Sequence, residues 1–95
     1  MKYEIKFTTA YKKNYKLMKK RGFDISELDK VVAVLGEGKA LDEKYRDHAL
    51  TGNLAGFREC HIKPDWLLIY LIKNDILTLT LVDTGSHADI FERNY

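Results

Sequence analysis

Residues 66–83 read Trp-Leu-Leu-Ile-Tyr-Leu-Ile-Lys-Asn-Asp-Ile-Leu-Thr-Leu-Thr-Leu-Val-Asp. From Trp66 to Ile72 the run is apolar without a break. It is far too short to cross a membrane, which takes about 20 such residues. It has the length and character of a strand covered on both faces. Asn74-Asp75 then suits a tight two-residue hairpin, which predicts strands over Trp66–Lys73 and Ile76–Asp83. Just upstream, Lys63-Pro64-Asp65 turns a strand over Gly56–Ile62 into the first of these.

A strand buried on both faces needs covering layers, and the N-terminal half supplies one. Lys2 to Thr8 alternates, with Tyr3, Ile5 and Phe7 on one side, and reads as a further strand. Thr8 or Thr9 caps a helix running to about Arg21, with Gly22 as its stop. Tyr11, Tyr15 and Met18 line one face of that helix at helical spacing. A second helix starts at Asp24, which stands at capping-box spacing from Glu27. It buries Ile25, Leu28, Val31, Val32 and Leu35 and ends at Gly36. Glu37 to Ala55 keeps no period. A stretch that long in a small domain is usually functional or disordered, and Leu41, Tyr45 and Leu50 predict that it packs down. Ser86, three residues before Asp89, caps a short terminal helix. The expected order is β-α-α-β-β-β-α, an α+β fold with both N-terminal helices on one face of a mostly antiparallel sheet and part of the other face open.

Ninety-five residues, 45% of them hydrophobic, make one small domain over residues 1–95 and argue against wholesale disorder. Cys60 is the single cysteine, so no intrachain disulfide can form and a reducing cytoplasm is expected. Lys2, Glu4 and Lys6 break up any signal peptide, and no membrane partner is expected. The net charge of +2 is unevenly placed: residues 1–30 hold nine Lys/Arg against four Asp/Glu. The excess peaks at Lys12, Lys13, Lys16, Lys19, Lys20 and Arg21. That run is either a solvated helix face or a surface for the phosphates of RNA.

Chemistry concentrates in three histidines, His48, His61 and His87, all at expected loops or element ends in the C-terminal half. Histidine exchanges a proton near neutral pH, so three of them with Asp65 point to acid–base work or a metal. Asp65, four residues after His61 across the Pro64 turn, is the expected partner of that imidazole. His87 stands in the first turn of the terminal helix, whose positive end disfavours imidazolium. No pair has the His-x3-His or Cys-x2-Cys spacing of a metal site, so neither metal nor cofactor is expected. Trp66 is by default a core residue and, in the sharper alternative, a stacking platform for a base. Arg58 serves either a phosphate or a partner on the sheet edge. Cys60 reads as a small buried residue.

Three ordered motifs, each holding one histidine, carry a family resemblance. Asp47-His48-Ala-Leu-Thr-Gly, Phe57-Arg58-Glu59-Cys60-His61-Ile62-Lys63-Pro64-Asp65-Trp66-Leu-Leu-Ile-Tyr70 and Thr84-Gly85-Ser86-His87-Ala-Asp-Ile-Phe91 resemble the YafQ-like branch of the RelE/ParE toxin superfamily. The likeness extends over essentially the whole chain. It implies a RelE-like fold and a bacterial type II toxin that enters the ribosome and cuts mRNA in the A site. It implies silencing by a cognate DinJ-like ribbon-helix-helix antitoxin. By the same resemblance, His48, His61, Asp65 and His87 fall on the catalytic positions, and Trp66 and Phe91 on positions that shape the site. One departure is Asn53-Leu54, where relatives often carry an aromatic after the glycine.

Two other functions fit parts of the pattern. A ParE-like inhibitor of DNA gyrase would share the fold and cut no RNA. A plain RNA-binding module would use the lysine helix. Neither has a use for three acid–base residues in one half of the chain. For a metal-free nuclease they supply a base for the ribose 2′-OH, a cation for the phosphate and an acid for the leaving 5′-oxygen. Which histidine is acid and which base stays open: the helix end favours His87 as base, the resemblance as proton donor.

Overall fold

The computed structural model describes residues 2–93. Strand β1 (Glu4–Phe7) leads into helices α1 (Thr9–Lys20) and α2 (Ile25–Gly36). The short strand β2 (His48–Ala49) follows, then β3 (Arg58–Lys63), β4 (Trp66–Lys73), β5 (Thr78–Gly85) and helix α3 (His87–Glu92). The sheet order is β1-β5-β4-β3-β2. Among the described strands, only the β1–β5 pair is parallel. The fold is the expected α+β arrangement, and none of its described helices is long and apolar enough to cross a membrane.

The apolar run is β4, the central strand, and its two-residue period divides it between two layers. Trp66, Leu68 and Tyr70 pack with Tyr11, Met18, Leu28, Val31 and Leu35 under α1 and α2. Leu67 and Ile69 face the other way and pack with Ile90 of α3, Leu50, Leu54 and Phe57. The second face is therefore partly roofed by α3 and the 50–57 segment.

Thr8 caps α1 by accepting from the Tyr11 N–H at 3.0 Å, and Gly22 leaves the helix at φ +85°. Asp24 caps α2 through the Ser26 N–H at 3.1 Å. Glu27 does not complete a capping box, because its carboxylate reaches Lys63 on β3 at 2.9 Å. Helix α2 ends at Gly36 as expected, with that glycine buried as its last residue, and the left-handed residue beyond it is Gly38 (φ +77°). Of the alternating β1 residues, Tyr3 is buried but Phe7 lies 52% exposed, stacked on Tyr11.

Several strand boundaries move; β5, for one, runs on to Gly85. Lys73 pairs with Thr78, so the β4–β5 connection is Asn74–Leu77 and not Asn74-Asp75 alone. Ile76 and Leu77 are exposed, and Leu77 is left-handed at φ +49°. The Leu77 carbonyl accepts from the Glu4 N–H at 2.9 Å; it serves β1 rather than β4. β3 begins at Arg58 instead of Gly56, which has φ +95°.

Candidate active site on the face opposite the long helices

The stretch without a period contains an edge strand. Asp42 caps a 3-10 turn over Glu43–Tyr45, and Arg46 reverses the chain in a left-handed conformation, φ +49°. Residues 48–49 then run antiparallel to β3, with His48 opposite Glu59. Asp47 fixes this strand from below: its Oδ1 accepts from the Tyr70 hydroxyl at 2.5 Å and from Arg58 Nε at 3.3 Å. Burial and that carboxylate push the Tyr70 hydroxyl well above its usual range.

Strand alternation assigns the rest. Cys60 and Ile62 point into the main core, and burial pushes the Cys60 thiol up to about 12, which suits an inert packing residue. Glu59 and His61 point the other way, opposite Ile69 and Leu67 of β4. His87 arrives on the same face at the start of α3, set by a full capping box between Ser86 and Asp89. The three imidazoles stand in a row, with ring centroids 6.2 Å apart for His48–His61 and 5.5 Å for His61–His87.

The partners differ from the expected ones. Asp65 does not hold His61; its Oδ1 accepts from His87 Nδ1 at 2.6 Å and from the His87 backbone N–H at 2.9 Å. Those hydrogen bonds, the backbone one foremost, hold the Asp65 carboxyl below its ordinary range. His61 Nδ1 instead faces the Pro64 carbonyl at 3.2 Å. The Pro64 turn aims its own carbonyl at His61 and sends the next side chain across to α3. His48 has Nδ1 at 2.7 Å from the Arg46 carbonyl and Nε2 at 3.2 Å from Glu59 Oε2. Glu59 thus belongs to the cluster, although no motif singled it out. The signal was Glu-x-His on a strand, which puts both side chains on one face.

Trp66 is not a stacking platform. It is 1% exposed, packs edge-on against Phe23 at 5.0 Å and donates Nε1–H to Thr84 Oγ1 at 3.0 Å. It anchors the start of β4 directly behind Asp65. Phe91, by contrast, is 84% exposed beside Thr51, Asn53 and Leu54, open to a planar partner. Arg58 is engaged with Asp47, the sheet-edge alternative. Lys12, Lys13, Lys16, Lys19 and Lys20 are all exposed, on a helix that covers the face away from the histidines. A second basic surface, missed in the sequence, lies nearer. Lys30, Lys44, Arg46 and Lys63 line a cavity of about 530 Å³ with His61. They are scattered along the chain, so no charge run betrays them.

The row of histidines on one sheet face, with the element order around it, can be set against known proteins. Residues 3–92 match the family described as the bacterial toxin of type II toxin-antitoxin system, YafQ. The chain belongs to the YafQ family. The mRNA interferase toxin YafQ of Escherichia coli K12 is 35% identical over 89 residues, covering 93% of this chain and 95% of that protein. YafQ in the E. coli DinJ-YafQ toxin-antitoxin complex superposes with a TM-score of 0.86 at 34% identity, over 96% of this chain and 99% of that one. A metal-bound toxin from Helicobacter pylori superposes at 0.88 with 46% identity, over 94% and 99%.

Proposed function

We propose that this YafQ-family chain is an mRNA endoribonuclease that cuts in the ribosomal A site, in the cytoplasm, by acid–base attack of the ribose 2′-OH. The observation that carries this reading is the histidine row. In-line displacement at phosphorus puts the attacking 2′-oxygen and the leaving 5′-oxygen on opposite sides. Base and acid must therefore stand apart, with a phosphate-binding group between them. The ends of the row are His87 and the His48–Glu59 pair, and His61 lies between. Asp65 holds the His87 ring through Nδ1, leaving Nε2 to face substrate. The His48–Glu59 pair takes the 2′-OH proton, O2′ bonds to phosphorus, the P–O5′ bond breaks and His87 Nε2–H protonates O5′. The products are a 2′,3′-cyclic phosphate and a 5′-OH.

The other residues fall into binding roles. Phe91 stacks on a displaced base. Arg58 acts through Asp47 to keep β2 in place. Lys30, Lys44, Arg46 and Lys63 guide the mRNA backbone past His61, and Lys12, Lys13, Lys16, Lys19 and Lys20 meet ribosomal RNA or the acidic part of a DinJ-like ribbon-helix-helix antitoxin. A ParE-like gyrase inhibitor would leave the whole histidine row without a task.

The test is cleavage on programmed ribosomes with end analysis of the products. Wild type should leave 5′-OH ends with metal chelated. His87→Ala should lose rate by about 10²–10⁴-fold, the usual worth of a positioned acid or base, with ribosome affinity kept. Products ending in 5′-phosphate, made only with added metal, would overturn the mechanism.

A further inference from the structure

We propose that Asp83 and Arg93 are positioning residues for the candidate site: their buried ion pair ties the far end of α3 to the sheet and so sets where Phe91 and His87 stand. The tie is a matter of geometry, while its bearing on cleavage rests on the acid–base reading above. Asp83 is 0% exposed. Its Oδ1 accepts from Arg93 Nη1 at 2.7 Å, from Asn14 Nδ2 at 2.8 Å and from the Thr84 N–H at 2.8 Å. A carboxylate taken out of water must be paired and hydrogen-bonded, so this one draws its partners in from two helices.

Two irregularities make that possible. Ile69 of β4 stands opposite Asp83 and Tyr70 opposite Leu81, so Val82 is the extra residue of a β-bulge. A bulge re-aims the side chain beside it. The Thr8 hydroxyl donates to the Val82 carbonyl at 2.5 Å and fixes the bulge to the start of α1. Asp83 is then met by Asn14 from α1 and by Arg93 from beyond α3. The second irregularity is Gly85. A Cβ there would lie 2.9 Å from Asp89 Cβ and 3.2 Å from Arg93 Nη1, so glycine leaves the arginine room to cross. Arg93 Nη1 also donates to the Thr84 carbonyl at 3.1 Å, which holds the guanidinium to the backbone just ahead of His87.

Helix α3 needs such a tie. It has six residues, against the roughly 12–15 at which an isolated helix is marginal in water. Its first turn is fixed by the Ser86–Asp89 capping box and by Arg21. Its last turn is fixed by Ile90 and by Arg93, two residues beyond Phe91. Arg93 and Phe91 line one recess with Thr51, Asn53 and Leu54. With that end loose, so short a helix pivots about its first turn. The Phe91 ring moves furthest, and His87 turns on its bond to Asp65.

The test compares the full chain with the double variant Asp83→Asn/Arg93→Gln, which removes both charges and keeps the shape, and with Arg93→Lys. The Ile90 and Arg93 amides, which bond the Ser86 and Ile90 carbonyls, should exchange at least about tenfold faster in the double variant, a local opening, while β4 amides keep their wild-type rates. The His87 Nδ1 signal, which reports its bond to Asp65, should move. On programmed ribosomes the saturating single-turnover rate should fall about 10–100-fold, the scale of a misplacement near 1 Å, with half-saturation unchanged. Arg93→Lys keeps the charge on Asp83 and should retain the larger part of the rate; it carries the same comparison should the double variant not fold. Wild-type exchange at Ile90 and Arg93 in the double variant would show that nothing is tied. A loosened α3 with a wild-type rate would refute the positioning role. A weaker half-saturation at an unchanged saturating rate would make Arg93 an RNA contact instead. Wild-type protein that cleaves nothing would sink the nuclease reading and the positioning role with it, while the exchange data still judged the tie.

Discussion

On one face of the sheet, α1 and α2 bury Tyr11, Met18, Leu28, Val31 and Leu35 against Trp66, Leu68 and Tyr70. On the other, α3 buries Ile90 and is tied down by two ion pairs, Arg21–Asp89 and Arg93–Asp83, each 2.7 Å long. Apolar burial is strong but non-directional. Charge-assisted hydrogen bonds are directional and fix an angle as well as a distance. The face that must hold His87 in register with His61 while staying open to a substrate uses the second kind. The two faces should therefore fail differently.

The largest effect is expected in the apolar layer. Leu28 is 0% exposed, and Leu28→Ala should cost about 2–5 kcal/mol of stability through lost transfer energy and a cavity. A lower denaturant midpoint would report it. Cleavage per folded molecule should stay near wild type, because the cavity lies beneath the face away from the histidines. A matching fall in specific activity would show that the faces are coupled.

The clamp should do the reverse. Asp89 accepts from Arg21 and from the Ser86 N–H. The Arg21 guanidinium, first among these, lowers the Asp89 carboxyl from 3.8 to about 2. A depressed carboxyl contributes stability above its unfolded value and loses it as pH falls through the folded one, so the loss should run from about pH 4 down to about pH 2. Arg21 is 41% exposed, and solvent screening there keeps the contribution small. Arg21→Ala should remove that acid limb from the stability profile. It should also lower the cleavage rate about tenfold, since misplacement of a catalytic group is costly, with ribosome affinity unchanged. The double variant Arg21→Asp with Asp89→Arg would recover little, because Asp89 also caps α3. Unchanged cleavage in Arg21→Ala would mean that the Ser86 cap and Ile90 suffice to place His87.

Much of this contrast was legible in the sequence. The period of β4, the two helices and the Ser86 cap come from local patterns, and local patterns suffice for them. The three motifs brought forward the three histidines that the fold gathers on one face of the sheet. Pairings between distant segments were not legible. Asp65 looked like a partner for His61, four residues away, and pairs with His87, 22 residues away. Glu59 joined His48 only through the β2–β3 register. Asn14 is another such case. It sits among Tyr11, Tyr15 and Met18 on the apolar stripe of α1 and bonds the buried Asp83 carboxylate at 2.8 Å. A polar residue on an apolar stripe is a sign of a buried partner, and that sign was there to be read.

The smallest prediction concerns the far end of the apolar layer, where the expected two-residue hairpin became Asn74–Leu77. Leu77 holds φ +49° with its side chain 49% exposed. A left-handed conformation costs an ordinary L-residue roughly 1–2 kcal/mol, and asparagine adopts it more readily. The interaction that fixes the turn, the Glu4 N–H on the Leu77 carbonyl, involves only backbone and survives substitution. Leu77→Asn should therefore stabilise the chain by about 0.5–1 kcal/mol, a few degrees in Tm for a domain of this size. Cleavage should not change, because the turn belongs to the face and the end remote from the histidines. A lower Tm would instead mean that the exposed leucine packs usefully where it stands. The apolar layer would then extend to the hairpin tip, and the division between the two faces would be less sharp than drawn above.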